Sequence, residues 1–222
     1  MIIDNLMNLQ MLYWAGSHGG DSSWIAMATS HAKVSAQSHL RPDGSAAHVA
    51  LFDPSNGQLE RTVTWQGFSD SSAWSRGQAW AMHGFASAYA RTRKAELLDA
   101  AERSADYFIA HLPADGVPYW DFRLPNAANA ERDASAAAIA ASGLLDIARW
   151  ANEPARSRYS TAAEHILASL SADYLTEGSN SAAILKHAVG SKPQNSEVDV
   201  GLVYADYYFI EALLRRRGLF LE

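Results

Sequence analysis

Helical periodicity recurs along this chain in separate segments, and the connections between them alternate between tight and long. That alternation constrains the fold more than any other feature. The helical segments span residues 2–15, 22–40, 72–91, 94–111, 133–150, 154–174 and 202–217. Residues 16–20, 92–93 and 151–153 are tight links, whereas 41–71, 112–132 and 176–201 are long. Tight links make antiparallel helix hairpins, so all long loops fall at one end of the assembly. Long loops on a rigid scaffold are where sites are usually built.

Local signals agree with these segments. Ile2, Leu6, Leu9 and Tyr13 form one stripe, and Asp21 is placed to cap the second helix. Pro154 sits in a first turn, where proline is tolerated, and Arg215-Arg216-Arg217-Gly218 suits a helix C-terminus. Alanine, at 41 of 222 residues, favours closely packed helices over sheet. A repeat supports winding about a centre. His39-Leu40-Arg41-Pro42-Asp43-Gly44 and His111-Leu112-Pro113-Ala114-Asp115-Gly116 both close a helix and open a long loop, with a weaker echo at Tyr174-Leu175-Thr176-Glu177-Gly178. The first long loop reads as a β-hairpin, 48–52 with 59–64, about Asp53-Pro54-Ser55-Asn56-Gly57. The expectation is an all-α chain, one domain over residues 1–222, forming about half of an α/α toroid with one small hairpin.

Composition removes several functions. Eighteen basic against 24 acidic residues leave a formal charge of −6, which opposes binding of long nucleic acids. Cysteine is absent, so disulfides and thiol chemistry are excluded; a reducing, cytoplasmic setting is the expectation. No apolar stretch reaches the ~20 residues of a membrane span, and Met1-Ile2-Ile3-Asp4 lacks a signal-peptide pattern. The eight histidines form no HExxH-type spacing, and Ser17-His18-Gly19-Gly20 matches no phosphate loop. Neither metal nor cofactor is expected.

The residues best suited to chemistry gather where the first long loop enters the third helix. Trp74, Arg76 and Trp80 set aromatic faces beside a guanidinium, and Gln66 adds an amide. Such a group could stack on a sugar and pair with a carboxylate; the alternative is tryptophans packed in a core. Asp4 opens the first helix at the loop-bearing end, with Asn8 one turn on. A helix N-terminus favours its charged form, and an aromatic cavity would raise its pKa instead. The competing role for Asp4 is satisfying helix amides. His48 could orient a carboxylate or be structural. Tyr119-Trp120-Asp121-Phe122 and Arg132-Asp133 could extend a cleft, although Asp133 is more simply an N-cap. Some of Tyr204, Tyr207 and Tyr208, beside Asp206, must be core, and Ser191-Lys192-Pro193 could touch an anion.

Together these blocks resemble glycoside hydrolase family 88, the unsaturated glucuronyl hydrolases. The resemblance rests on Ile2-Ile3-Asp4-Asn5-Leu6-Met7-Asn8-Leu9, Arg41-Pro42-Asp43-Gly44 followed by His48-Val49, and Gln66-Gly67-Phe68-Ser69-Asp70. It continues through Ala73-Trp74-Ser75-Arg76-Gly77-Gln78-Ala79-Trp80, Gly116-Val117-Pro118-Tyr119-Trp120-Asp121-Phe122, Arg132-Asp133-Ala134-Ser135, Ser196-Glu197-Val198-Asp199-Val200 and Asp206-Tyr207-Tyr208. It implies an (α/α)6 barrel of about twelve helices, of which about seven are here. It also implies hydration of a Δ4,5-unsaturated uronic acid at the end of a small oligosaccharide, with no cofactor. Asp4 then matches the general acid/base, His48 a substrate contact, Gln66, Arg76 and Trp80 the surroundings of the uronate, and Trp74 the wall. Arg76-Gly77-Gln78-Ala79-Trp80 favours this family over the unsaturated rhamnogalacturonyl hydrolases, the alternative specificity. The resemblance further implies that a second aspartate and more aromatics precede Asp4 in the family. An inactive or split fragment, completed by an N-terminal half or by self-association, is therefore the alternative role.

Overall fold

The computed structural model describes residues 1–220. Its elements are α1 (Asn5–Ser17), α2 (Ser23–His39), β1 (Val49–Phe52), β2 (Leu59–Val63), α3 (Ser75–Thr92), α4 (Ala95–Ala110), α5 (Ala134–Trp150), α6 (Ala155–Asp173), β3 (Ala188–Ser191), β4 (Ser196–Val200) and α7 (Val203–Arg216). All the expected helices form, with ends trimmed where extended pairing competes. α1 starts at Asn5 because Ile2 bridges to Val49 and the Ile3 amide donates to the His48 carbonyl at 3.0 Å. α3 starts at Ser75 because Trp74 bridges to Asp121.

α1, α3, α5 and α7 form an inner row, each packed on the next, while α2, α4 and α6 back it as outer partners. α5 carries the core: from Ala134 to Leu144 every residue is buried, most of them alanine. Small residues let the helices approach. A Cβ on Gly84 would lie 2.4 Å from the Leu6 Cβ, and one on Gly143 would press on the His83 backbone at 3.1 Å. Phe85, Phe108, Leu97, Ile139, Leu144, Ile147 and Ile166 fill the remaining space and are fully buried; each contributes roughly 1.5–3 kcal/mol by leaving water.

The long loops do lie together over the N-termini of the inner helices. Tyr119 bridges to Arg132, the Asp133 amide donates to the Pro118 carbonyl, and the Ala134 amide donates to the His187 carbonyl. The repeated loop openings share a backbone need: Gly44, Gly116 and Gly178 have φ of 85°, 75° and 80°, where a side chain is strained.

One expectation needs correction. The structure has two antiparallel hairpins, β1–β2 and β3–β4, rather than one. The second hid because Ser196, Glu197 and Asp199 are poor strand formers, and its bends use His187, Asn195, Glu197 and Asp199 at positive φ instead of glycine. Among the described residues no helix is long and apolar enough to cross a membrane.

Candidate active site

The N-termini of the inner helices converge beneath the loop layer and bring the expected residues together. Asp4 stands at the N-cap of α1 in helical geometry, yet its side chain caps nothing. Its Oδ2 is buried without a hydrogen-bond partner, 3.7 Å from His48 Nε2. The side chain therefore satisfies no amide of the following helical turn. Burial raises the Asp4 pKa, outweighing its own backbone amide, the Arg76 charge and the Trp80 indole.

His48 is held as a neutral ring. Its Nδ1 accepts from the backbone amides of Trp65 at 3.2 Å and Gln66 at 3.4 Å, so its proton sits on Nε2, toward Asp4. Burial, with the Arg76 charge nearby, lowers its pKa to about 4. The ring packs on Trp74 with centroids 4.5 Å apart.

Arg76 is buried between two aromatic faces, 4.4 Å from the Trp74 ring centroid and 5.3 Å from that of Tyr204. Its Nη1 donates to the Val189 carbonyl and to Asp133 at 3.3 Å, and its Nη2 donates to the Gly190 carbonyl at 2.6 Å. Gln66 donates to the same Gly190 carbonyl at 3.0 Å. The expected uronate-pairing groups are thus spent on the tip of β3. Trp74 and Trp80 are 3% and 8% exposed, so they are core residues. Trp80 meets Tyr208 at 5.2 Å and Tyr204 at 6.5 Å.

No family model matches the sequence. The unsaturated glucuronyl hydrolase of Formosa agariphila is 40% identical over 224 residues, a match covering 100% of this chain and 56% of that protein. The crystal structure of the Bacillus sp. GL1 unsaturated glucuronyl hydrolase superposes with a TM-score of 0.94 at 40% identity, covering 99% of this chain and 59% of that one. An unsaturated glucuronyl hydrolase specific for heparin gives 0.94 at 43% identity, covering 98% and 59%. The chain is a relative of the unsaturated glucuronyl hydrolases. It spans little more than half the length of these relatives.

Beside these hydrolases, the wall of helical α/α-toroid structure is shared, and the remaining site residues of this chain sort by role. Asp133 is an N-cap, as expected, accepting from the amides of Ser135 at 3.0 Å and Ala136 at 3.3 Å. It also receives Arg76 and the Val189 amide, so one carboxylate joins α3, α5 and β3. Sequence reasoning missed that second duty. Burial pushes Tyr204 up to about 12, keeping its hydroxyl protonated.

The proposed cleft extension fails at Asp121, which is 1% exposed and anchors the loop carrying Gln66. It accepts from the Phe68 amide at 2.9 Å and the Ser72 hydroxyl at 2.6 Å. Trp120 is likewise buried. Asn8 is exposed on α1, and Lys192 pairs with Glu131. No group of His, Asp and Glu suited to a metal occurs among the described residues.

Proposed function

We propose that this chain carries the acid–base side of a hydrolase acting on Δ4,5-unsaturated uronic acids at the ends of short oligosaccharides. The observation that carries the reading is Asp4: a carboxyl group with a raised pKa and a buried, unpartnered oxygen, facing a neutral histidine. A raised pKa favours the protonated form of Asp4, and a protonated carboxyl group suits a general acid. In this reading Asp4 gives its proton to C4 of the enol ether, and water adds at C5 as Asp4 takes a proton back. The resulting hemiketal opens and expels the neighbouring sugar. His48 Nε2–H steadies the carboxylate formed in between. Trp74 holds His48 and Arg76 in place, and Arg76, its donors already engaged, contributes positive charge to the site without pairing the uronate directly.

The test follows the alkene. The chain should remove the ultraviolet absorbance of unsaturated glycosaminoglycan disaccharides, and Asp4→Asn should abolish this. Turnover of unsaturated rhamnogalacturonan disaccharides alone would move the specificity to the related class. Retention of activity by Asp4→Asn would end the reading.

One observation favours a second reading. The two end helices of the inner row expose large apolar groups: Met11 at 73% and Trp14 at 53% on α1, and Val203 at 82%, Tyr207 at 52% and Ile210 at 45% on α7. Faces of this kind mark interaction surfaces. In this reading the chain binds acidic sugars without turnover unless a companion polypeptide continues the ring. Saturable sugar binding with the chromophore intact, in a chain that sediments as a monomer, is its signature.

A further inference from the structure

A polar cavity lies at the far end of the inner helices, about 20 Å along α3 from Arg76 at 1.5 Å per residue. It measures about 240 Å³ and opens among the last turns of α3, α5 and α7. Four guanidinium groups line it, Arg91, Arg93, Arg149 and Arg215, against one carboxylate, Asp146. Concentrating four cations in a chain of net charge −6 is costly unless something neutralises them.

Among the described residues, the partners of these arginines do not neutralise all four. Arg215 is 7% exposed and reaches Glu211 at 3.3 Å, the Ser142 carbonyl at 2.9 Å and Asp146 at 3.9 Å, yet its Nε is buried with no acceptor. Arg149 shares Asp146 at 3.6 Å. Among the described residues no carboxylate lies within ion-pair distance of Arg91 or Arg93. Arg93 instead stacks 3.6 Å over Trp150, whose indole Nε1 is also a buried donor without an acceptor. Helix C-termini explain basic residues in last turns, at up to about half a charge per helix. They do not explain the convergence of four guanidinium groups on one cavity, with Gln10 and Ser87 adding polar groups.

We propose that this cavity binds a small tetrahedral oxyanion, phosphate or sulfate. Guanidinium forks match such an anion in geometry as well as charge, and Trp150 fixes the plane of Arg93 before binding. The inference is independent of the activity proposed for the Asp4 site.

Isothermal titration calorimetry of the whole chain at constant ionic strength tests it, with inorganic phosphate, inorganic sulfate and acetate as separate arms and sodium chloride as the balance. Phosphate and sulfate should give saturable heats at one site and raise the thermal midpoint, and acetate should do neither. Arg91→Gln with Arg93→Gln should weaken phosphate at least tenfold. Arg91→Gln alone, at an exposed position, should weaken it severalfold. Arg61→Gln, on β2, should leave it unchanged. Absence of saturable binding, equal response to acetate, or an undiminished affinity in the double variant would overturn the proposal.

Discussion

Two clusters in this molecule use the same side-chain types and drive their carboxylates in opposite directions. Under the loop layer, Asp4 faces His48 with Arg76 nearby, one oxygen is buried without a donor, and burial raises its pKa. Deeper along the inner row, Glu211 faces His83 at 3.0 Å, Arg215 at 3.3 Å and the Ser142 hydroxyl. Those donors outweigh its burial, and its pKa falls to about 2. The number of donors that reach the oxygens decides the outcome. A carboxylate fully supplied with donors is a structural tie, whereas an undersupplied one is a reservoir for a proton.

The largest effect expected from breaking this contrast is at Asp4. Asp4→Asn should lower turnover of an unsaturated uronyl disaccharide by about 10²–10⁴-fold, the usual share of general acid–base catalysis. The thermal midpoint should hold or rise, because the substitution removes a half-buried acid whose ionised form burial disfavours. At Glu211 the order reverses. Glu211→Ala leaves Arg215 and His83 without their main partner and should cost about 3–5 kcal/mol in chemical denaturation. A loss below 1 kcal/mol there would show that the donors do not tie the helices. Asp133 lies between the two. Asp133→Asn keeps its shape but loses the charge opposite Arg76, and should cost about 1–2 kcal/mol with earlier proteolysis within residues 188–200.

The pH dependence of stability supplies a further test. His39 and His48 have folded pKa values lowered to about 4 by burial, so the unfolded chain binds protons first as pH falls. Stability should decline as pH drops from about 6.5 toward 4, and His48→Gln should flatten part of that slope. Glu211 adds a later loss, as pH falls from about 4.5 toward 2. Urea titrations at stepped pH separate the two windows.

Much of the fold was legible because its signals are short-range. Periodicity, alternating link lengths and the glycine at each loop opening placed the helices within a few residues of their true ends. Asp4, His48, Gln66, Trp74, Arg76 and Trp80 were legible as a set through the resemblance of their motifs. Their surroundings were not. Gln66 meets Gly190 across 124 positions, and Arg76 meets Val189 across 113. β3, which makes both contacts, sits in a segment whose polar residues and unusual backbone angles conceal a strand. The pairing of His83 with Glu211 was equally hidden, since a histidine inside an alanine-rich helix gives no sign of its partner.

By itself, the order of residues determined a row of helix hairpins, the end at which the loops gather, and which side chains could take part in chemistry. Only the tertiary structure decided that one oxygen of Asp4 would be left without a donor while Glu211 would be well supplied, and that arginines from separate helices would share one cavity. The physical reason is that helix formation depends on neighbours three or four positions away. The proton affinity of a buried group depends on atoms that folding alone brings within a few ångströms.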